Sequence, residues 1–247
     1  MRKMQLLSFN AIVLGSLLLG AQARAEVSHV SIAVDGLGCP FCVYGIEKQL
    51  KHIDGVKKVD IELKTGLALV TLENGVSPNI STFQNAVKKA GFTPREVQIT
   101  AVGKVQAKND EMHFSLRGSD EKYLLFDKDS ANADLPPELK GQLLKLAESQ
   151  SLVAVTGTPH SHAQGQNGLS VEKLSPLASV ALSVNGMACE MCVARLTQLL
   201  EEQKDVYQAR VSLADKRAVI EAIDATLNAD ELIKTISDAG FSASIEP

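Results

Sequence analysis

The chain has 247 residues, 45% of them apolar, with 4% aromatics, no Trp and a formal net charge of −4 at pH 7. That length suggests one to three domains, and the apolar fraction suits a folded chain rather than a disordered one. The acidic balance and scarce aromatics exclude an electrostatic or stacking footprint for nucleic acid.

Arg2 and Lys3 open the chain, followed by the apolar run LLSFNAIVLGSLLLGA and then Ala23-Arg24-Ala25. This is the order of a cleaved export signal, expected over residues 1–25. The run is shorter than a membrane-spanning helix, so cleavage is preferred over an uncleaved anchor and no stable insertion of the mature chain is expected. Cleavage takes the basic count from 25 to 22 against 29 acidic residues, a net charge of −7. The expected compartment is the periplasm, where four cysteines could simply be disulfides.

VSHVSIAVDG alternates apolar and polar residues and predicts a strand. After a loop, Val43, Ile46, Leu50 and Ile53 recur at helical spacing. GVKKVDIELKTGLALVTLE reads as a hairpin turning at Lys64-Thr65-Gly66. ISTFQNAVKKAG reads as a second amphipathic helix with Phe83 and Val87 inward and Gly91 ending it, and FTPREVQI as a last strand. The order βαββαβ is that of a ferredoxin-like unit, expected over residues 26–99.

Residues 100–176 differ. ITAVGKVQA, MHFSLRG and KYLLFD read as strands, PPELKGQLLKLAESQ as a helix, and LVAVTGTPH and LSVEKL as two more strands. That order suggests a small OB-like β-barrel. PHSHAQGQNG reads as a loop, in which His160 and His162 are better explained as solvated residues than as metal ligands. His113 alternates with apolar neighbours and reads as a strand residue; His29 and His52 have no evident partner.

The first unit then returns over residues 177–247. A shift of 150 pairs Val30 with Val180, Ile32 with Leu182, Ile46 with Leu196 and Leu50 with Leu200. It also pairs Cys39 with Cys189 and Cys42 with Cys192, the only cysteines in the chain. A shift of 149 pairs Ala90-Gly91-Phe92 with Ala239-Gly240-Phe241. The expected fold is therefore α+β: two ferredoxin-like units flanking a small OB-like barrel.

Each cysteine pair, in GLGCPFC and GMACEMC, straddles the start of a helix. Backbone N–H groups and the helix dipole there favour anions, and thiols so placed lose protons more readily. Two thiolates two residues apart can converge on one ion. A two-sulfur site suits Cu(I) or Hg(II), whereas Zn(II) normally takes four ligands. Glu190, between Cys189 and Cys192, opposes ionisation of the second pair, so the first pair is expected to be the more acidic.

The Gly-Met-x-Cys-x-x-Cys loop in a βαββαβ unit resembles the heavy-metal-associated domain family, which includes copper chaperones, domains of copper ATPases and periplasmic mercury-binding proteins. The resemblance covers both end units and not the segment between them. It implies that Cys39, Cys42, Cys189 and Cys192 are the metal ligands and that Met187, or Leu37 in its place, packs inward. It also implies that Phe92 and Phe241 lie near the metal loops without ligating.

The expected function is an exported carrier of a soft ion, a chaperone or scavenger, with a membrane metal transporter as a possible partner. The alternative is a periplasmic thiol-disulfide redox protein, since CPFC resembles Cys-Pro-x-Cys oxidoreductase motifs. Against it, each unit is short for a thioredoxin fold and CEMC lacks the proline. No nucleophile, general base or cofactor loop stands out, so neither an enzyme nor a catalytic residue is expected.

Overall fold

The computed structural model describes residues 27–37, 40–73, 76, 79–127, 129, 134–161, 167–203, 206–223 and 227–246, without the side chains of Pro40, Phe41, Cys42 and Ser161. The expected signal segment 1–25, Cys39 and His162 lie outside the described residues. Among the described residues no helix is long and apolar enough to cross a membrane.

The first unit comprises β1 (Val27–Asp35), α1 (Pro40–Lys51), β2 (Val56–Glu62), β3 (Leu67–Leu72), α2 (Ile80–Lys89) and the first half of β4 (Thr93–Lys108). Its sheet order is β2-β3-β1-β4, antiparallel throughout. Alternation places Val30, Ile32 and Val34 of β1 beneath the helices, where Ile46, Leu50, Phe83 and Val87 meet them. Burying each such large side chain contributes about 1.5–3 kcal/mol.

Asn79 caps α2 by accepting from the Ser81 N–H, so the helix starts where its first apolar residue is needed. At its other end Gly91 takes φ +89, and the Phe92 N–H donates to the Val87 carbonyl at 3.2 Å. That left-handed stop turns the chain into β4 and fixes where Phe92 points.

The second unit repeats this with the last half of β8 (Asn167–Asn185), α4 (Glu190–Glu201), β9 (Val206–Ser212), β10 (Arg217–Ile223), α5 (Ala229–Asp238) and β11 (Ser242–Ile245). Here β8 lies between β10 and β11, and β10 pairs with β9. Leu182, Val184, Leu196, Leu200, Ile220 and Ile236 form its separate core. The expected pair of ferredoxin-like units in an α+β chain is thus present.

Between them lie β5 (Glu111–Leu116), β6 (Lys122–Phe126), α3 (Pro137–Ser149) and β7 (Leu152–Ser161). β4 pairs with both β5 and β7, β5 with β6, β6 with β8 in parallel, and β8 with β7. These pairings return to β4. Leu143 of α3 packs into the same core as Val105, Phe114, Leu125, Val155 and Leu169, a core continuous with that of the first unit.

Two expectations are corrected. FTPREVQI and ITAVGKVQA are one 16-residue strand, β4, and LSVEKL runs on into the second unit as the 19-residue β8. No turn residue separates the halves of β4, and in β8 the intervening Ser175 and Pro176 stay extended, paired with Ala154 and Val153, so the strand runs on. Ala101, Val102 and Gly103 are buried in succession, with Val102 on the opposite face, against Tyr207 of the second unit. The expected loop PHSHAQGQNG is also shorter. Pro159 and His160 belong to β7, paired with Leu169 and Gly168, and the His160 ring meets Phe126 edge-on with centroids 5.1 Å apart.

Candidate metal centre

β8 ends at Asn185, and Gly186, with φ +96, turns the chain away from the sheet. Such a backbone suits glycine. A Cβ there would also lie 3.7 Å from Phe241 Cδ1, so the ring packs directly under the loop. Met187 is half-buried against the second core, as the resemblance implies.

Cys189 then takes an extended conformation (φ −157°, ψ 158°) at the N-cap of α4, with no side-chain cap bond. The backbone N–H groups of Cys192 and Val193 donate to its carbonyl at 3.0 and 3.3 Å. The first helical turn thus carries Cys192 back beside Cys189. Cys189 is exposed and Cys192 half-buried, and both are free thiols.

The Cys192 thiol lies below its ordinary pKa. A hydrogen bond from the Cys189 side chain contributes most, followed by one with the Ala188 backbone. Burial opposes them, and backbone hydrogen bonds at Cys189 and Cys192 add to the lowering. Glu190, exposed in the same turn, does not reverse the direction. The larger part of the cause is thus the neighbouring thiol, and the backbone of the loop and helix start adds to it.

In the first loop Gly36 (φ +84) makes the same turn, and Leu37, 8% exposed, fills the position of Met187 in the core. A Cβ on Gly36 would lie 3.9 Å from Phe92, so this ring also lies under its loop. α1 begins at Pro40, which brings the Cys42 backbone into the first turn as at Cys192. Phe92 and Phe241 are both half-buried against their cores, in the packing role expected of them.

The remaining histidines stand apart from these loops. His113 is a strand residue, with Nε2 3.2 Å from Glu111. His52 Nδ1 meets the Lys48 carbonyl, and His29 Nδ1 lies 3.0 Å from Ser28 Oγ. Among the described residues no three His, Cys, Asp or Glu side chains gather into a metal cluster.

Sequence reasoning missed a cleft of about 200 Å³ between the end units, lined by His29, Lys57, Glu73, Glu201 and Tyr207 among others. Lys57 Nζ meets Glu201 at 2.7 Å across it. No local pattern signals a contact between residues so far apart in the chain.

A thiol pair at a strand-to-helix turn, repeated in two ferredoxin-like units, defines a class of soft-metal-binding modules. The heavy-metal-associated domain model matches residues 31–93 and 181–242, just over half of the chain. The chain belongs to the heavy-metal-associated domain family.

The chain is similar to the mercuric transport protein periplasmic component of Shewanella putrefaciens, 33% identical over 70 residues, 28% of this chain and 76% of the relative. It is also similar to copper-transporting ATPase 1 of Rattus norvegicus, 24% identical over 91% of this chain, although it spans only 16% of that protein's length. Among solved structures, oxidized MerP from Ralstonia metallidurans CH34 matches at 28% identity and a TM-score of 0.28, covering 28% of this chain and 99% of that one.

Alkylation reads the thiol electrostatics directly. In reduced, metal-free chain at pH 7, Cys192 should react with iodoacetamide faster per unit of exposure than an ordinary thiol. Its rate should fall as pH drops through a value below the usual thiol range, because the thiolate is the nucleophile. A midpoint at or above the ordinary thiol value would remove the argument that Cys189 and the loop backbone stabilise the Cys192 thiolate.

Proposed function

We propose that Cys39 with Cys42, and Cys189 with Cys192, each hold one soft cation, Cu(I) or Hg(II), through two thiolates. The chain is then an ion carrier, a chaperone or a scavenger, and performs no catalytic step. The observation that carries this is the pairing of an exposed and an acidified thiol on one helix start, with no third His, Cys, Asp or Glu gathered beside them among the described residues. Two ligands without a third suit ions that accept near-linear coordination.

The same reading places residues 1–25 as an export signal, the carrier in the periplasm, and a membrane metal transporter as the partner that takes the ion. It divides the chain into end domains at 26–99 and 177–247 and a middle domain at 100–176. The middle domain is read as an OB-type barrel. The cycle of strand pairings, the parallel β6–β8 pair and the helix between β6 and β7 support this.

Titration of the reduced chain with Cu(I), followed by equilibrium dialysis against a competing chelator, should saturate near two ions per chain. Saturation near one would mean a shared ion. Turnover of insulin disulfides without metal uptake would instead support thiol-disulfide redox work.

A further inference from the structure

β4 and β8 each run from an end unit into the middle segment, but they join the units differently. Ile99, Thr100 and Ala101 of β4 pair with β1 on one edge and with β7 on the other. The two ladders overlap there, and one core runs through the first unit and the middle segment. In β8 the ladder with β7 ends at Pro176, opposite Val153, and the ladder with β10 begins at Leu177, opposite Ile223. No residue of β8 pairs with strands of both the middle segment and the second unit. Pro176 is exposed and has no N–H to donate to a neighbouring strand. The second unit also keeps its own core. One strand thus joins it to the rest, and the backbone pairing of that strand passes from one body to the other at a single peptide bond.

The remaining contacts are few. Val102 of β4, Ala154 of β7 and Tyr207 of β9 form a small buried cluster, with Leu177 and Ile223 against it. Tyr207 also lines the cleft in which Lys57 of the first unit meets Glu201 of the second at 2.7 Å. A second ion pair joins Arg117 Nη1, just after β5, to Glu221 of β10 at 2.9 Å. The Arg117 N–H donates to the Val102 carbonyl at 2.9 Å, which seats this residue beside the apolar cluster. Arg210 holds Glu221 from within the second unit at 3.3 Å. A contact this small leaves relative motion of the two bodies as the expected behaviour.

We infer that the second end unit swings as one body about Ser175–Leu177 of β8, and that the ion pairs Lys57–Glu201 and Arg117–Glu221 latch it shut at low ionic strength. The four charged side chains are between 17% and 31% exposed, so they are paired at the rim of the contact and within reach of solvent ions. When the contact opens, each separated charge gathers counter-ions that the pair does not, so added salt favours the open state. The three-residue cluster is the other force holding the unit shut, and its burial is a small part of what either core buries. Hinges of this kind are a few residues at the end of an element that absorb the backbone change. Pro176 and Leu177 lie at the end of one ladder and the start of the next. The orientation of the second unit, its thiol loop included, then follows the ion content of the medium. The latch is independent of what the thiols hold.

The test uses the full-length chain with its four cysteines replaced by Ser and single-molecule energy transfer between dyes at two introduced cysteines. Thr82→Cys on α2 and Lys234→Cys on α5, both exposed, report across the hinge. One narrow peak is expected at about 20 mM NaCl, and a second, shifted peak should grow as the salt rises to about 1 M. Lys57→Glu, which sets two carboxylates against each other, should raise the ratio of the second peak to the first about tenfold at low salt. Adding Glu201→Lys should restore the single peak, which a loss of folding would not allow.

A second dye pair, Thr82→Cys with exposed Gln106→Cys on β4, spans the overlapping ladders and should give one peak at every salt concentration. The salt titration needs no charge-reversed variant to fold. A ratio of peaks across the hinge that salt does not change would overturn the inference. Splitting of the Thr82–Gln106 peak alongside the other would overturn it as well, because the motion would then not be centred on β8.

Discussion

Replacing Cys189 and Cys192 together by Ser should leave the fold intact and remove one of two bound Cu(I) ions. Cys189 is exposed at the N-cap and Cys192 half-buried in the first turn of α4, and neither belongs to the core, where Leu196 and Leu200 hold the helix to the sheet. Circular dichroism and Tm should therefore stay close to those of the unsubstituted, metal-free chain. The retained Cys39/Cys42 pair should bind its ion with unchanged affinity, because each pair belongs to its own unit with its own core. Doing the same at Cys39 and Cys42 should leave the other single ion, and all four Ser substitutions should leave none. A single-pair variant that lost both ions would mean that the pairs cooperate on one site.

Gly157→Ala should lower stability by about 3 kcal/mol, near the upper end of what overpacking normally costs. A Cβ at Gly157 would lie 2.1 Å from the Ser170 carbonyl oxygen, and the obstacle is backbone of β8, held by its pairing. Gly103→Ala meets the same problem, 2.2 Å from the Ser115 carbonyl oxygen and 2.9 Å from the Phe114 ring. Tm should fall by roughly 10 °C in each. Gly141→Ala is the control: it lies within α3 with nothing within 4 Å, so better helix propensity should raise stability by up to about 1 kcal/mol. If Gly157→Ala and Gly141→Ala shifted Tm alike, the close approach of β7 and β8 would be in error.

The electrostatics of the second loop is set at the sulfur itself. Glu190 opposes ionisation of the second thiol pair, and Cys192 is nevertheless acidified by hydrogen bonds from Cys189 and the loop backbone. A charge two residues away along the chain is exposed to water and screened, while a donor touching the sulfur is not. The expected greater acidity of the first pair falls on Cys39 and the Cys42 side chain, which lie outside the described residues.

The sequence by itself determined the two ferredoxin-like units, their strand-to-helix thiol loops and the inward faces of β1, α1 and α2. Each is written in a period of two or of three to four residues, and the repeat at 150 residues states it twice. Only the tertiary structure decided that β4 and β8 each run unbroken from an end unit into the middle segment. Residues 99–101 have no local signal that they pair with both β1 and β7. Only the tertiary structure set Lys57 against Glu201 across a cleft between the end units. Periodicity records which face of an element is apolar. It carries no record of which distant edge that element will meet, because strand partners are chosen by long-range pairing and by the burial that pairing makes possible.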